Sequence, residues 1–363
     1  AAYYRQQLDC KVIGITGSVG KTSTKEIIAS VVNKRYVTHK TQGNFNNEVG
    51  VPLTVLECRE DTEVLVLEMG INHFGEMDRL SKIGRPDVMV ITNIGECHLE
   101  FLGDRDGVLR AKTECFNNMN PDGSVFLNGD DDKLAKVAMV HGRKPVFFGL
   151  SSKKDYYATD IETQGLLGIK ATLHSQKGYE LAVTIPIPGM HMVYNALSAL
   201  AIGDYLAIDR SLIAQGIEEV QALGGRSNII RTDKFTVIDD CYNANPTSME
   251  AAIKLLMRAD GLRVAILGDM FELGEDEAAL HEKVGRMAAS SDIDVIIFIG
   301  ELSLNMYNGA KSVRDDGVYY YKTVDEAMGK LKCIVPKQAS VLVKASHSMG
   351  FDRIVDLLTG QDK

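Results

Sequence analysis

The stretch KVIGITGSVGKTST, residues 11–24, decides the fold of this 363-residue chain. Its first half is rich in β-branched apolar residues, as in a buried strand, and the residues after Lys21 have the pattern of a helix. Between them lies a loop with glycine at positions 17 and 20. A strand, a glycine loop and a helix in this order are typical of phosphate binding. Backbone N–H groups turn toward the phosphates, and the helix N-terminus favours negative charge.

The loop predicts an ATP site in which individual residues have distinct tasks. Lys21 supplies a cation to the β- and γ-phosphates, and the hydroxyl of Thr22 is placed to ligate Mg²⁺. The loop follows the TGxxGK[ST] variant, because Ile15 stands where the longer GxxxxGK[ST] pattern has glycine. The residues predicted to contact the nucleotide here are Gly17, Ser18, Gly20, Lys21, Thr22 and Ser23.

The chain around this loop has the pattern of an α/β protein. Over residues 11–150 short β-rich runs alternate with helical patterns, including one over residues 132–142, which favours a mostly parallel sheet covered by helices. Over residues 160–187 the alternation has period two, which predicts appended antiparallel strands. A second βα series follows a glycine pair. We therefore predict a P-loop ATPase domain over residues 1–225 and a Rossmann-like domain over residues 226–363.

Composition restricts the class of protein. Hydrophobic residues at 45% and charged residues at 25% are typical of globular proteins, and no apolar run has the length of a membrane span. The net charge of −9 disfavours non-specific binding to nucleic acid or anionic membranes. The six cysteines have neither CxxC nor zinc spacing, so we expect reduced thiols in a cytoplasmic protein. The first residues run almost directly into a strand, which predicts a chain cut from something longer.

Three side chains outside the loop are expected to contribute to the predicted ATP site. Glu68 ends the run EVLVLEMG and His98 follows DVMVITNIGEC, and the carboxyl ends of parallel strands meet at one edge of a sheet. Both are candidate partners for Mg²⁺ or phosphate. Lys112 lies in the apolar stripe of GVLRAKTECFNNM, where desolvation lowers a lysine pKa and leaves a modifiable amine. Each residue also has an ordinary alternative role. Glu68 would be a solvated carboxylate, His98 a structural histidine, and Lys112 a lysine whose ammonium reaches water.

Ten ordered motifs resemble the Mur ligase family. They are GITGSVGKTSTKE, TQGNFNNEVGVPLT, LEMGINHFGEM, ITNIGECHLE, RAKTECF, PGMHMVYNALSA, GGRSN, DDCYNANPTSM, LGDMFELG and VLVKAS. The resemblance implies a central ATPase domain and a C-terminal domain that closes over the nucleotide. It also implies that D-alanyl-D-alanine is joined to UDP-N-acetylmuramoyl-tripeptide through an acyl phosphate. This is a step of peptidoglycan precursor synthesis, and hence of cell shape and division.

The resemblance further implies roles for individual residues. Thr22, Glu68 and His98 hold Mg²⁺, and CO₂ carbamylates Lys112 to an anion that supports a second Mg²⁺. Arg226 reaches the γ-phosphate. The implied catalytic set is Lys21, His98, Lys112 and Arg226. The other implied contacts are those of Asn195, Asp240, Tyr242 and Asn243 with the nucleotide and of Asn44, Asn47 and Ser346 with the substrates, although asparagines in such loops also cap turns.

The sequence departs from the family pattern at two motifs. Met192 stands where the family has asparagine, and His347 stands where it has arginine. The resemblance also implies that the family's N-terminal UDP-binding domain lies outside these residues. Two alternatives stay open: another amide ligase of this architecture, glutamate-adding or cyanophycin-type, and a non-catalytic ATP-binding module. We expect a monomer that binds neither nucleic acid nor membrane.

Overall fold

A computed structural model describes residues 1–360, which form two compact units. The first unit comprises residues 1–164, 168–186 and 190–221. The second comprises residues 165–167, 187–189 and the chain from residue 222 onward. The functional boundary after residue 225 stays a prediction.

Nine strands of the described chain form the sheet of the first unit. They are β1 (Lys11–Thr16), β2 (Thr38–Lys40), β3 (Val64–Glu68), β4 (Val88–Ile91), β5 (Ser124–Asn128), β6 (Val146–Gly149), β7 (Tyr156–Thr163), β8 (Ile169–His174) and β9 (Glu180–Ile185). Their order is β2-β3-β1-β4-β5-β6-β7-β8-β9. Neighbours are parallel from β2 to β7 and antiparallel from β7 to β9. The predicted parallel sheet with appended antiparallel strands is confirmed.

Helices cover both faces of this sheet. They are α1 (Ala2–Arg5), α2 (Lys21–Val32), α3 (Gly50–Leu56), α4 (Glu76–Gly84), α5 (Leu99–Leu102), α6 (Arg105–Thr113), α7 (His191–Tyr205) and α8 (Arg210–Glu218). One core layer joins β1, β3 and β4 to α3, α4 and α6. Helix α2 packs against α7 and α8. Strands β1, β3 and β4 are almost continuously buried, as expected of parallel strands covered on both faces.

The helix predicted over residues 132–142 is wrong. Only a 3-10 turn forms there, at Leu134–Lys136. Asp131 Oδ1 accepts the backbone N–H groups of Lys133 and Leu134, both at 3.0 Å, which starts a turn. His141 then adopts φ 48°, a left-handed conformation that no helix continues through. Apolar spacing alone therefore misled the prediction.

The described part of the second unit contains a six-stranded sheet. Its strands are β10 (Asn228–Arg231), β11 (Thr236–Asp239), β12 (Arg263–Gly268), β13 (Val295–Ile299), β14 (Val318–Tyr321) and β15 (Ser340–Lys344). The order is β10-β11-β15-β12-β13-β14, with only β10 antiparallel to its neighbour among the described strands. The helices are α9 (Pro246–Leu256), α10 (Glu277–Ala289), α11 (Ser303–Lys311), α12 (Val324–Ile334) and α13 (Asp352–Thr359). No helix within residues 1–360 has both the length and the apolar character that a bilayer crossing requires.

Candidate active site

The phosphate loop, residues 17–20, connects the end of β1 to the start of α2. Gly17 has φ 150°, and a Cβ there would lie 1.9 Å from Thr92 Oγ1. Gly20, with φ 85°, directly precedes the helix. Both positions therefore require glycine. The Lys21 ammonium donates to the carbonyl of Gly17 at 2.9 Å, so the loop curls around the cation that the sequence predicts.

The phosphate loop is fastened to the residues that follow β4. Asn93 Oδ1 accepts the N–H of Val19 at 2.9 Å, and Asn93 Nδ2 donates to the carbonyl of Val19 at 2.9 Å. Thr92 Oγ1 donates to the same carbonyl at 2.6 Å. Sequence reasoning missed Thr92 and Asn93. Their position directly after a buried strand, at the edge where ligands collect, was the available signal.

Glu68, the last residue of β3, is the centre of a buried polar cluster. Its side chain is 1% exposed. Oε1 accepts from Thr22 Oγ1 at 3.0 Å and from Asn46 Nδ2 at 2.7 Å. Oε2 accepts no hydrogen bond, and the ammonium of Lys25 lies 3.7 Å away. The structure thus brings together the predicted Thr22 and Glu68, and it adds Lys25 and Asn46, which were not predicted. We call these four residues the Glu68 cluster.

The asparagines of GNFNN differ in what they contact. Asn46 reaches Glu68, whereas Asn44 and Asn47 are exposed. Asn47 Oδ1 accepts the N–H groups of Val49 at 3.1 Å and of Gly50 at 2.9 Å, at the start of α3. Capping is the alternative role considered for both asparagines, and the structure shows it for Asn47. Their predicted substrate contacts stay a prediction.

Lys112 is fully buried on α6, as its place in the apolar stripe predicts. Its Nζ has no hydrogen-bond partner. Burial, with a smaller contribution from the positive charge of Lys21, lowers the pKa of Lys112 to about 8, although Cys97 opposes the shift. The alternative of an ammonium that reaches water is therefore wrong.

His98 stands at the start of α5, with φ 53°. The thiol of the preceding residue, Cys97, donates to Ser18 Oγ at 3.1 Å, and the N–H of Gly95 donates to the same oxygen at 2.8 Å. The segment that carries His98 is therefore bound to the phosphate loop. Within residues 1–360, no three His, Cys, Asp or Glu side chains form a group that could hold a metal ion by themselves.

A cavity of about 310 Å³ opens beside the phosphate loop in the first unit. Gly20, Thr24 and Asn195 contribute to its lining. Asn195 Oδ1 accepts from Thr24 Oγ1 at 2.9 Å, and its Nδ2 donates to the Met192 sulfur at 3.3 Å. The volume is at the lower end of the range for small-molecule sites. The predicted Asn195 thus lines a cavity next to the phosphate loop, with Met192 packed against its amide.

In the second unit, the ring of Tyr242, just after β11, contacts one basic side chain and one histidine ring. The guanidinium of Arg226 lies 3.8 Å from the centre of the Tyr242 ring. The His347 ring stacks with Tyr242 at 5.2 Å between centroids. The structure thus brings together Arg226 and Tyr242, both predicted, and adds the departure residue His347.

A buried lysine completes this group, which we call the Tyr242 cluster. The ammonium of Lys344 donates to Asp240 Oδ2 at 2.7 Å and to the carbonyl of Asn243 at 2.8 Å. Ser346 is buried nearby in sequence, and its Oγ accepts the N–H of Phe271 at 3.2 Å. Sequence reasoning missed Lys344, although it lies in the quoted motif VLVKAS. The members of the cluster are Arg226, Asp240, Tyr242, Asn243, Lys344 and His347.

Family models match most of the chain. Residues 15–203 match the Mur ligase middle domain, and residues 225–347 match the domain described as Mur ligase, glutamate ligase domain. The UDP-N-acetylmuramoyl-tripeptide--D-alanyl-D-alanine ligase of Bacillus subtilis (strain 168) is 39% identical over 359 residues. These cover 98% of this chain and 77% of that protein.

Solved structures give the same result. The crystal structure of MurF from Acinetobacter baumannii has a TM-score of 0.91 and 35% identity, and it covers 98% of this chain and 78% of that one. MurF ligase from Thermotoga maritima, solved in complex with ADP, has a TM-score of 0.86 and 27% identity over 99% of this chain and 82% of that one. The chain therefore belongs to the Mur ligase family.

Proposed function

We propose that this chain is an ATP-dependent amide ligase of the cytoplasm. It joins D-alanyl-D-alanine to UDP-N-acetylmuramoyl-tripeptide in peptidoglycan precursor synthesis. The observation that carries the proposal is the Glu68 cluster beside a preformed phosphate loop, with the buried amine of Lys112 within electrostatic range of Lys21. The substrate pair is supported by relatives of that activity at 30–39% identity over nearly the whole chain.

The chemistry explains why ATP is needed. A carboxylate is a poor acyl donor until one of its oxygens becomes a good leaving group. In the proposed reaction the donor carboxylate attacks the γ-phosphate, which gives an acyl phosphate and ADP. The amine of D-alanyl-D-alanine then attacks the acyl carbon and displaces phosphate. Phosphoryl transfer depends on positioning and on stabilising negative charge, and Lys21 supplies a fixed cation for this.

The proposed nucleotide contacts in the first unit follow from the phosphate loop and the cavity beside it. Backbone N–H groups of the loop bind the phosphates, and Asn195 contacts the base. In the second unit the proposed contacts lie in the Tyr242 cluster, where Asp240 and Tyr242 follow the carboxyl end of β11. The proposed contacts there are Arg226, Asp240, Tyr242 and Asn243. Asn44, Asn47 and Ser346 are the proposed substrate contacts.

The residues near Glu68 fit a magnesium site. Thr22 Oγ1 and Glu68 Oε1, two oxygens that can ligate the ion, lie 3.0 Å apart in a buried cluster. Proteins usually hold Mg²⁺ through one or two carboxylates together with substrate phosphates. Thr22 and Glu68 would hold the ion, together with His98, which the family resemblance adds to the set. When bound, Mg²⁺ neutralises negative charge on the transferring phosphoryl group.

Lys112 fits a carbamylation site. CO₂ adds to a neutral amine and releases a proton, and the lowered pKa of about 8 leaves a neutral fraction at neutral pH. The orphaned Nζ has no competing hydrogen-bond partner. A carbamate there turns a buried cation into an anion with two oxygen donors, which could support a second Mg²⁺.

The test is a phosphate-release assay with Mg·ATP and all combinations of substrates. We expect release only when UDP-N-acetylmuramoyl-tripeptide and D-alanyl-D-alanine are both present, with one amide bond formed per phosphate. Release with a glutamate or cyanophycin-type acceptor instead would identify another ligase of this architecture. ATP binding by the full-length protein without turnover under every combination would indicate a nucleotide-binding module and contradict the proposal.

A further inference from the structure

Lys25 is completely buried in the first unit, one turn beyond Thr22 on α2. Lysine is almost never fully buried unless it is paired. Its ammonium donates to the carbonyl of Thr41 at 2.7 Å, and it lies 3.1 Å from Glu26 Oε1 and 3.7 Å from Glu68 Oε2. A buried cation is therefore held beside the carboxylate that contacts the phosphate-loop threonine.

The two oxygens of Glu68 have different surroundings. Oε1 accepts hydrogen bonds from Thr22 and Asn46, whereas Oε2 faces the ammonium of Lys25 without hydrogen-bonding to it. The terminal torsion of a glutamate is broad, so rotamer preference alone does not fix the carboxylate plane. The positive charge on one side and the two donors on the other make one orientation more favourable than the rotated one.

Lys25 is itself held in place by the backbone around it. Thr41, whose carbonyl accepts from the ammonium, also accepts the N–H of Glu68 on its hydroxyl at 3.0 Å. Helix α2, the end of β2 and the end of β3 are thus joined around one carboxylate. Glu26 forms a second ion pair with Lys40. The two lysines thus balance the charges of Glu26 and Glu68.

We infer that Lys25 is a positioning residue for the metal-binding carboxylate. It holds Oε2 of Glu68 and so presents Oε1 to Thr22 and to a divalent cation. This inference rests on the proposed function only in assigning Mg²⁺ to Glu68. Lys25 acts through Glu68, and its role goes beyond the residues that the family resemblance supplies.

The experiment measures the binding of Mn²⁺ to the whole chain in the presence of ADP. Mn²⁺ serves as a spectroscopic substitute for Mg²⁺, and its binding is followed by electron paramagnetic resonance. Lys25→Met removes the cation. We expect the Mn²⁺ Kd to rise by about 10- to 100-fold, as is usual when a partner of a metal ligand is lost. ADP affinity without metal should stay unchanged, because the phosphate loop is intact.

Two further variants separate positioning from structural support. Lys25→Gln keeps a hydrogen-bond donor for the Thr41 carbonyl but loses the positive charge. It should therefore weaken Mn²⁺ binding as Lys25→Met does. If Lys25→Met does not fold, Lys25→Gln alone provides the test. Lys34→Met is the matched control. Lys34 lies just beyond α2 and pairs with Glu219, away from the Glu68 cluster, so this variant should bind Mn²⁺ as the parent does.

The outcomes are distinct. Parental Mn²⁺ affinity in folded Lys25→Gln would overturn the inference, as would equal weakening of Mn²⁺ and metal-free ADP binding. Glu68→Gln tests the underlying assignment separately. If Glu68→Gln binds Mn²⁺ as tightly as the parent, the magnesium proposal itself fails. If Glu68→Gln weakens binding and Lys25→Gln does not, only the role of Lys25 is refuted.

Discussion

The Glu68 cluster of the first unit and the Tyr242 cluster of the second are built from similar residue types in different environments. In the first unit Glu68, Lys25 and Lys112 are almost fully buried. In the Tyr242 cluster Lys344 is also buried and pairs with Asp240. The ring contacts of that cluster are more accessible, because Arg226 and Tyr242 are half-buried and His347 is exposed. Buried charges act strongly because water does not screen them, whereas exposed ones are weak. Substitutions of the buried charges in the first unit should therefore have larger effects on turnover than substitutions at the ring contacts of the Tyr242 cluster.

The largest expected effect is that of Lys112→Ala. If a carbamate is the working group, this variant should lose about 10³-fold or more in kcat, since both the anion and the cation it supports are removed. Formate or acetate should restore part of the activity by occupying the vacated anion position. The measurement is ligation rate against formate concentration.

Lys136→Ala is the control for this prediction, because Lys136 is a lysine exposed to solvent, whereas Lys112 is fully buried. It should show neither the loss nor the rescue. Parental activity in Lys112→Ala would refute the role of Lys112. An intact mass that shows a bare amine in fully active enzyme would refute carbamylation alone.

Lys21→Ala should cause the second-largest loss of kcat, after Lys112→Ala. Loss of one fixed donor to a developing charge costs about 10²- to 10³-fold in kcat, or about 3–4 kcal/mol. The fold should survive, because the φ values of Gly17 and Gly20 and the contacts of Asn93 hold the loop independently. Steady-state ligation together with circular dichroism checks both statements. Parental turnover in the variant would show that the loop does not bind the reacting phosphates.

A smaller effect is expected on the rate at which CO₂ restores activity at different pH values. Since the pKa of Lys112 is lowered to about 8, the neutral amine that reacts with CO₂ becomes more abundant as pH rises from 7 to 9. At a fixed concentration of dissolved CO₂, enzyme depleted of CO₂ at low pH should regain activity about tenfold faster at pH 9 than at pH 7. A recovery rate independent of pH would contradict this description of Lys112.

The smallest effect is expected in the second unit. Tyr242→Ala removes the ring that both Arg226 and His347 contact, and a cation–π contact of this kind is worth about 0.5–1 kcal/mol at a solvent-accessible site. We expect the KM for ATP to rise by about two- to fivefold. Tyr242→Phe keeps the ring and should match the parent. A loss in Tyr242→Ala as large as that in Lys21→Ala would remove the distinction between the charges at the phosphate loop and the ring contacts of the Tyr242 cluster.

The sequence predicted the elements and the residues whose place depends on local pattern. Strand β1, the phosphate loop and α2 follow from one stretch, and the burial of Lys112 follows from helical periodicity. Glu68 was found because it ends a buried strand. These inferences need only the chain's own spacing and the rule that strand ends share an edge.

What the sequence did not predict depends on contacts between distant segments. Asn46 meets Glu68 across 22 positions, and Thr41 meets Lys25 across 16, which no local spacing reveals. Strand β10 is four residues long and pairs at the edge of its sheet, too short for a clear alternation. Within the single motif GNFNN, local spacing likewise does not indicate that Asn46 is the asparagine that contacts Glu68.

The central claim is that ligation proceeds through an acyl phosphate made at the phosphate loop. The most direct measurement uses UDP-N-acetylmuramoyl-tripeptide with ¹⁸O in the reacting carboxylate, with Mg·ATP, D-alanyl-D-alanine and the enzyme. Because the donor oxygen that attacks the γ-phosphate leaves with it, mass spectrometry should find one ¹⁸O in the phosphate released per amide bond formed. Label in AMP, or phosphate without label while the amide forms, would contradict the mechanism.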